Sequence, residues 1–454
     1  MERLKRTEKN TLTERVLQFG EGNFLRGFVD WMIDKLNKEN GGDYGVTIVQ
    51  PLAGGLVDKL NAQDGRYSLY LRGLLKGEKV EETRIVDCVT RGINPYTDTD
   101  EFFDCAKNPD LRFIVSNTTE AGIEYKPNQN PDDFNGLTFP GRLTLFMKKR
   151  FDEGLGGFIF LPCELIDKNG DNLKECILKY SKDWGYGGEF EKWIETENHF
   201  TNTLVDRIVT GYPRDNAKEM EQSYGYLDDM IDTAEIFHLW VIEGDKLAEE
   251  IPFHKIGLNV LWTDDVTPYK KRKVRILNGA HTMTVFAAHL AGLETVKDAM
   301  DDELVFSFMK QGIFEEIIPT LDLPKNELEQ FANDVIERFK NPFIKHYLLS
   351  IALNSVSKYK VRVLPSVLEY IKEKNCEPKR LVFSLAALIA FYRTDAANDD
   401  KVVMEFMKTA SAEDILKKTE YWGEDLSFLL PTVQKHLDEI EKNGIRKAME
   451  KVVD

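Results

Sequence analysis

Short runs of β-branched and aromatic residues alternate with helical patterns in the first half of the chain. Four runs have the length and composition of strands, and they cover residues 16–19, 46–50, 113–117 and 157–161. Residues 28–36 follow the first run with the period of a helix. Strands that alternate with helices predict a mostly parallel, doubly wound sheet. Ligands bind such sheets beyond the carboxyl ends of the strands, where polar turns follow the third and fourth runs.

The pattern changes from about Asp264 onwards. Segments such as ILNGAHTMTVFAAHLAGL and RLVFSLAALIAFY are nearly all apolar and predict helices that bury one another. Neither strand alternation nor a repeat of fixed period is found there. The Asp, Thr and Pro residues of 263–268 indicate a hinge. The sequence therefore predicts an α/β plus all-α fold, with a Rossmann-like domain over residues 1–263 and a mainly helical domain over residues 264–454.

Length and charge restrict the kind of partner. The chain has 454 residues, enough for two or three domains, and its formal net charge is −17. Such a charge argues against nucleic acid or an anionic membrane as the main partner, and an anionic substrate needs a local basic pocket. No apolar run is long enough to span a membrane and no signal-peptide core is found, so a cytoplasmic location is expected. The oligomeric state stays open, because apolar helices serve a core or an interface equally well.

The cysteines and histidines do not predict a metal site. The five cysteines form no CxxC pair, which favours reduced structural thiols. The seven histidines form no HExxH motif, and His281 and His289 are separated by apolar residues typical of a core-facing helix. A zinc-dependent mechanism is therefore not expected.

A glycine pair follows the first predicted strand. Gly20-x-Gly22 is half of a dinucleotide-binding fingerprint, in which the first glycine permits a tight turn. The second glycine lets the backbone approach a pyrophosphate at the helix N-terminus. Leu25 replaces the third glycine, and Arg26 is expected to bind a phosphate or to form a surface salt bridge. The alternative is a plain junction between a strand and a helix.

The end of the second predicted strand bears on the choice of cofactor. An acidic residue there usually binds the ribose of NAD, but this strand ends in Gln50-Pro51, and the next carboxylate is Asp58. The fingerprint alone does not distinguish NAD from NADP. The absence of a basic residue at this strand end favours NAD, because a 2′-phosphate usually recruits Arg or Lys.

The segment from Lys273 to His281 places an ammonium, a carboxamide and an imidazole on what is predicted to be the start of a helix. In an α-helix Asn278 lies about 140° and His281 about 80° from Lys273, so all three side chains can face one cleft. Such a set can take a proton from an alcohol and stabilise the oxygen left behind, as hydride transfer to a nicotinamide requires. The alternative is a basic, exposed helix start with a core histidine.

With Gly20-x-Gly22-Asn23-Phe24-x-Arg26 and Lys273-x-Arg275-x-x-Asn278-Gly279-x-His281, the chain resembles the mannitol dehydrogenase family over nearly its whole length. These are zinc-independent, nicotinamide-dependent dehydrogenases of polyols. The segments LQFGEGNFLRGFVDWMIDKLN, FLPCELIDKNGDNL and TLVDRIVTGYPRD narrow the resemblance to members that act on sugar acids. The resemblance implies NAD as cofactor and the interconversion of D-tagaturonate and D-altronate. A fructuronate/mannonate or hexitol dehydrogenase, or a non-catalytic NAD-binding sensor, is the alternative.

The same resemblance assigns roles to the reactive residues. It implies that Lys273 is the general acid and base, that Asn278 holds the substrate oxygen, and that His281 orients substrate hydroxyls. Relatives carry an asparagine soon after the cysteine of the middle segment. Here Asn169 is the nearest carboxamide, so it is expected either to take part of the oxyanion role or to cap the next helix.

Further residues are expected to bind the substrate. Asp206 matches a family aspartate near the lysine and is expected to bind substrate hydroxyls or tune Lys273, unless it pairs with Arg207. Lys358 preserves a family lysine, whereas Ser350 replaces a family arginine. The basic residues considered for the substrate carboxylate are Lys345, His346, Lys358, Arg275 and Arg362.

Two loops are expected to bind the cofactor. The first is the glycine loop, and the second is the polar turn after the third predicted strand. Their residues are Phe19, Gly20, Gly22, Asn23, Phe24 and Arg26 in the first loop and Asn117, Thr118 and Glu120 in the second.

Overall fold

The computed structural model describes residues 1–119 and 121–453. The chain divides into two compact units: Met1–Arg72 with Lys79–Val266, and Gly73–Glu78 with Thr267–Asp454. The sequence placed the domain boundary after residue 263, and the units divide after Val266. The assignment of Gly73–Glu78 to the second unit was not predicted, because it depends on long-range contacts such as the hydrogen bond from the Gly77 N–H to Glu337.

The first unit contains a six-stranded sheet in which every described pair of neighbouring strands is parallel. The predicted doubly wound parallel sheet is thus confirmed. Its first strand lies near the middle, with the second strand on one side and the third predicted strand on the other. Ligand sites in such sheets lie where the strand order reverses, which is at the carboxyl end of the first strand. In spatial order the strands are Val89–Ile93, Gly45–Val49, Glu14–Phe19, Phe113–Ser116, Ile159–Pro162 and His199–Phe200.

Both faces of this sheet are buried. Successive side chains of a strand point to opposite sides, so neighbouring residues pack into different hydrophobic clusters. Val16 belongs to one hydrophobic cluster, together with Val115 of the neighbouring strand. Leu17 and Ile114 belong to a second cluster on the opposite face. Burial on both faces explains why these strands read as continuous apolar runs.

Two three-stranded sheets complete the first unit, and the sequence did not predict them. The strand Glu78–Val86, for example, is exposed along most of its length and carries charged residues, so it shows no hydrophobic alternation. In spatial order the two sheets are Asp232–Glu235, Tyr67–Leu75, Glu78–Val86 and Val260–Thr263, Leu239–Glu243, Thr203–Asp206.

The helices of the first unit include a continuous helix after the first strand that contains one π turn. The α-helical segments are Asn23–Leu25, Trp31–Asn40, Val57–Ala62, Thr99–Cys105, Phe139–Asp152, Asn169–Asp183, Gly188–Glu197 and Ala217–Tyr224. The π turn is Arg26–Asp30, and the 3-10 turns are Phe134–Gly136, Asp245–Leu247 and Phe253–Ile256.

The second unit is mainly helical, as predicted. Its helix Lys379–Tyr392 is buried on nearly all sides and packs against Gly279–Leu290 and Leu430–Asn443. The other α-helices are Thr267–Arg272, Val296–Asp301, Glu303–Gln311, Lys325–Phe339, Leu348–Ile351, Ser355–Arg362, Leu364–Lys374, Lys401–Thr409, Ala412–Leu416, Thr419–Trp422 and Ile445–Val453. The π turns are Lys273–Asn278 and Gly312–Ile317, and the 3-10 turns are Ile318–Thr320 and Ser427–Leu429.

Within residues 1–119 and 121–453, no helix has the length and apolar character needed to cross a membrane.

Candidate active site

The first glycine of the loop occupies a position that only glycine fits. Gly20 has φ = 128°, and a Cβ there would lie 3.2 Å from the backbone oxygen of Asn117. The Gly20 N–H donates to the Val49 oxygen at 3.0 Å, and the Asn117 N–H donates to the Phe19 oxygen at 3.1 Å. The loop is therefore tied to the carboxyl ends of the strands on both sides.

The second glycine lies at an open helix start. Gly22 and Asn23 are exposed, and Gly22 precedes a helix that runs to Asn40. A Cβ on Gly22 would meet no atom of the described residues within 4 Å, apart from its chain neighbours. Helix N-termini bind anions through free N–H groups and the helix dipole. This loop therefore fits the pyrophosphate of a dinucleotide.

Arg26 lies beneath this loop, and the expectation of a surface salt bridge is wrong. Its side chain is 2% exposed and donates hydrogen bonds to the Glu21 oxygen at 3.0 Å, the Met230 oxygen at 2.6 Å and Asn23 Oδ1 at 2.7 Å. The guanidinium also lies 5.0 Å from the ring centre of Tyr67. Because its donors bind protein oxygens, the geometry does not favour the expected phosphate contact, and Arg26 supports the loop from below.

The aromatic residues of the glycine loop face the protein. Phe19 is buried against Phe102 and Phe139, so only its backbone lies at the strand end. Phe24 is half-buried and stacks on Phe28 at 5.0 Å. These two rings shape the loop, which leaves the backbone and Asn23 as its exposed surface.

The side chain of Glu21 lies beside Gln50, at the end of the second strand where sequence reasoning found no carboxylate. Gln50 is buried, and its Nε2 donates to the Leu52 oxygen at 2.8 Å and the Ala53 oxygen at 3.1 Å. A Cβ on Gly55 would lie 2.3 Å from Glu21 Oε1 and 2.4 Å from Gln50 Oε1, so the two side chains meet there. Burial raises the pKa of Glu21. In the sequence, the only indication of a role for Glu21 was its position between Gly20 and Gly22.

Sequence reasoning also missed Glu164, which holds the second loop. Glu164 is buried beyond the strand Ile159–Pro162 and accepts hydrogen bonds from Ser116 Oγ at 3.0 Å and from the N–H and Oγ1 of Thr118 at 2.9 and 3.0 Å. Burial raises its pKa, and the four hydrogen-bonding groups around it oppose that rise. A carboxylate directly after a predicted strand was the available signal. Glu120, predicted for the same loop, lies outside the described residues.

Asn169 does not have a free amide for an oxyanion. Its Nδ2 donates to the backbone oxygens of Pro162 at 3.0 Å, Glu164 at 3.1 Å and Thr203 at 3.1 Å. Its Oδ1 accepts from the N–H groups of Gly170 and Thr203. These bonds use the whole carboxamide, so the geometry contradicts the catalytic expectation and makes Asn169 a connection between two strands.

Asp206 is the buried last residue of the strand Thr203–Asp206. The neighbouring Arg207 donates to the Glu235 oxygen at 2.9 Å and the Gly27 oxygen at 2.8 Å. Its guanidinium lies 4.1 Å from the ring centre of Trp31, and burial lowers its pKa to about 9. Arg207 is therefore directed into the first unit, and the role of Asp206 stays a prediction.

The reactive segment of the second unit forms a π turn inside a helix, not the start of one. The helix begins at Thr267, passes through the π turn Lys273–Asn278 and ends at Leu290. A π turn closes i→i+5 hydrogen bonds, so Asn278 lies little more than one turn beyond Lys273. The two side chains therefore come closer to one face than the predicted α-helix would place them.

His281 lies beside His346, and the substrate-binding roles of both residues stay predictions. The rings of His281 and His346 lie 5.2 Å apart, and Phe339 packs on His281 at 3.9 Å. Burial, reinforced by repulsion from His346, Arg338 and Arg362, lowers the pKa of His281 well below its ordinary value. The imidazole is therefore neutral near pH 7 and can both donate and accept a hydrogen bond.

The basic residues predicted for the substrate carboxylate have different surroundings. Arg275 Nη1 donates to Ser366 Oγ at 3.3 Å, Lys358 Nζ donates to the Ile351 oxygen at 2.9 Å, and Arg362 Nη1 donates to Thr282 Oγ1 at 3.5 Å.

Two cavities in the described part of the chain are lined by residues other than those predicted for the site. A cavity of about 400 Å³ is lined by the N-terminal residues and by Asp34, Asp87 and Cys88. Another, of about 330 Å³, lies between Tyr70, Arg72 and Tyr224. The described part of the chain contains no group of three His, Cys, Asp or Glu side chains suited to a metal ion.

Comparison with known proteins agrees with this architecture. Residues 14–255 match the mannitol dehydrogenase Rossmann domain, and residues 265–445 match the mannitol dehydrogenase C-terminal domain. The chain is 46% identical over 467 residues to an altronate oxidoreductase of Enterobacter sp. (strain 638), covering 97% of both chains. It is 46% identical over 464 residues to an altronate oxidoreductase of Shigella flexneri, covering 96% of both chains.

Two solved structures share the fold. A substrate-free D-sorbitol dehydrogenase superposes with a TM-score of 0.85 at 24% identity, covering 98% of this chain and 97% of the other. The Pseudomonas fluorescens mannitol 2-dehydrogenase, in its ternary complex with NAD and D-mannitol, superposes with a TM-score of 0.70 at 20% identity, covering 99% and 96%. With both domains matched in order and relatives similar over almost the whole length, the chain belongs to the mannitol dehydrogenase family.

Proposed function

We propose that this chain is an NAD-dependent oxidoreductase that interconverts D-tagaturonate and D-altronate in hexuronate catabolism. Relatives named altronate oxidoreductase are 45–46% identical to it over nearly their whole length, which supports the substrate. The observation that supports the proposed chemistry is the π turn Lys273–Asn278, whose i→i+5 geometry would bring Lys273 and Asn278 toward one face, one turn before the neutral His281. The proposed location is the cytoplasm, where NADH is available to a catabolic enzyme.

The cofactor would be held by the two loops at the carboxyl edge of the parallel sheet. The backbone of Gly20, Gly22 and Asn23 would bind the pyrophosphate at the helix start, with Arg26 supporting the loop from below. The turn at Thr118, fixed by Glu164, lies beyond the next strand of the same sheet. When bound, the nicotinamide supplies a hydride to a carbonyl carbon or accepts one from an alcohol carbon.

Residues of the second unit would transfer the proton and stabilise the reacting oxygen of the substrate. In reduction Lys273 donates a proton to the carbonyl oxygen, and in oxidation it removes that proton from the hydroxyl. Asn278 donates a hydrogen bond from its amide to the same oxygen as negative charge develops. His281 binds neighbouring hydroxyls, and Asp206 is proposed either to do the same or to tune Lys273.

Two alternatives keep the fold. One is a family member with a different substrate, fructuronate/mannonate or a hexitol. The other is a sensor that binds NAD without turnover. The combination of Lys273, Asn278 and His281 argues against a sensor, which has no need of a general base.

The substrate assignment is tested by following NADH absorbance with D-tagaturonate, D-fructuronate and D-fructose in parallel. The proposal expects a clear preference for D-tagaturonate. Preference for D-fructose would retain the reaction type but reject the sugar acid. Binding of NADH without turnover of any of the three would favour the sensor.

A further inference from the structure

The proposed substrate carries a carboxylate, and the protein that binds it has a net charge of −17. An anionic substrate therefore needs a local cation that the protein has not already neutralised. The inference that follows rests on the proposed function. It concerns which of the basic residues near His281 binds that carboxylate.

Arg275 and Lys345 have acidic neighbours of their own. The Arg275 guanidinium contacts Ser366, and although burial lowers its pKa, Glu369 acts in the opposite direction. Lys345 is exposed, lies over the ring of Tyr347 at 5.2 Å and feels the carboxylates of Glu294 and Asp298. Each of these two cations therefore has a carboxylate that acts on its charge.

Arg362 is different. It is half-buried at the end of the helix Ser355–Arg362, and its one described hydrogen bond is the 3.5 Å contact with Thr282 Oγ1. Burial lowers its pKa, and no carboxylate among the described residues acts in the opposite direction. A partly desolvated cation without a counter-ion is costly, and a bound carboxylate would offset that cost.

Arg362 also lies against the reactive helix. A Cβ on Gly279 would be 3.0 Å from the Arg362 backbone oxygen, and Gly279 directly follows Asn278. The contact with Thr282 puts the guanidinium beside the residue after His281, and the charge of Arg362 helps to lower the pKa of His281. The glycine therefore permits the close approach that brings this cation to the site.

A cation at the end of a helix has an ordinary explanation, which is its attraction to the helix dipole. Here, however, the described donor of Arg362 reaches across to the neighbouring helix. Lys358 lies one turn earlier on the same helix, and the charge of Arg362 contributes to lowering its pKa, with Asp399 opposing. Two cations thus occupy one face, and only Lys358 has a nearby carboxylate.

We propose that Arg362, assisted by Lys358, binds the carboxylate of the sugar-acid substrate and selects sugar acids over uncharged polyols. The planar guanidinium can donate two parallel hydrogen bonds to a carboxylate, whereas the lysine acts as a point charge. Arg275, which sequence reasoning placed in the substrate site, fits this role less well, because the charge of Glu369 already acts on it.

The test compares Arg362→Gln and Arg362→Lys with Arg393→Gln, which removes an exposed cation at the end of another helix of the same unit. We expect Arg362→Gln to raise the KM for D-tagaturonate roughly 10- to 100-fold, the value of a hydrogen bond to a charged group. The kcat and the Kd for NADH should change little, and Arg362→Lys should restore part of the affinity. The preference for D-altronate over the uncharged hexitol altritol should shrink in Arg362→Gln.

An unchanged KM in both Arg362 variants, or an equal loss in Arg393→Gln, would overturn the proposal. So would a large rise of KM in Arg275→Gln with Arg362→Gln unaffected. In each of these cases the wild-type protein still reduces D-tagaturonate and the proposed function stands. A wild-type protein that does not reduce D-tagaturonate contradicts the proposed function instead.

Discussion

Asp30, which lies under the glycine loop, is a pH-sensitive residue of the first unit. It is fully buried, accepts hydrogen bonds from Tyr67 at 3.1 Å and Gln18 at 3.4 Å, and burial raises its pKa to about 7. Its folded pKa is therefore above the unfolded value. The protonated form is favoured in the fold, and stability falls as pH rises from about 4 to about 7.

We expect Asp30→Asn to stabilise the protein more at pH 8 than at pH 5. The raised pKa implies a difference between these conditions on the order of 2–3 kcal/mol, because the amide removes the need to ionise a buried group. Urea unfolding of both proteins at the two pH values measures this difference. An equal effect at both values would show that Asp30 does not titrate in this window.

His281 supplies a prediction about the pH dependence of the reaction. Because its pKa is well below the ordinary histidine value of about 6.5, the imidazole is already neutral near pH 7. His281→Asn should lower kcat/KM for D-tagaturonate roughly tenfold or more through the lost hydrogen bond. The shape of the pH–rate profile around pH 7 should stay the same, and a lost inflection there would contradict the neutral assignment.

At the residue scale, spacing along the chain predicted which side chains share a helix, but not which of them are already bonded. Asn169 and Arg26 match the pattern of functional residues, yet backbone oxygens take up their donors. The Arg26 partner Met230 lies 204 residues away, so no local pattern could reveal it. Glu164 was missed for the same reason, since its partners belong to another strand.

At the scale of elements, each of the two motifs that carry the family resemblance overlaps a π turn. One turn is Arg26–Asp30 and the other is Lys273–Asn278. A π turn holds one more residue than an α turn. It therefore rotates the side chains of the helix segment before it relative to those of the segment after it. Sequence periodicity assumes the α geometry and could not predict this.

Insertion of one alanine after Val274 should add a further residue between Lys273 and Asn278. At about 100° per residue Lys273 would then rotate away from Asn278, and we expect turnover of D-tagaturonate to fall on the order of 10²-fold or more. The NADH affinity and the helical circular dichroism should be retained, because the glycine loop is untouched. Activity near the wild-type level would show that the π turn does not align these residues.

Alanine substitutions at the two glycines of the first loop should have different effects on protein stability and on NADH affinity. Gly20→Ala meets a positive φ and the Asn117 oxygen, so it should cost about 1–2 kcal/mol of stability as well as NADH affinity. Gly22→Ala meets open space and should leave Tm unchanged while NADH binding weakens. Thermal unfolding and fluorescence titration with NADH measure the two effects. Unchanged NADH affinity in Gly22→Ala would show that the pyrophosphate does not bind at this helix start.

At the scale of the whole molecule, the sequence predicted a parallel α/β unit followed by a helical unit. Strands buried on both faces appear in the sequence as short continuous apolar runs, and buried helices appear as long apolar segments. The sequence did not predict that Gly73–Glu78, the tip of an exposed hairpin, belongs to the second unit. The net charge of −17 also belongs to this scale. It makes a local cation necessary for binding an anionic substrate, and Arg362 is the residue proposed for that role.

The most direct test of the central claim measures Lys273→Ala, with Lys271→Ala as its control. Lys271 lies two residues away, and its ammonium pairs with Asp322 at 3.0 Å. NADH oxidation with D-tagaturonate and the Kd for NADH are measured for both variants and the wild type. We predict that Lys273→Ala loses turnover on the order of 10²- to 10⁴-fold with NADH binding retained, while Lys271→Ala stays close to the wild type. Wild-type turnover in Lys273→Ala would contradict the assignment of this lysine as the general acid and base.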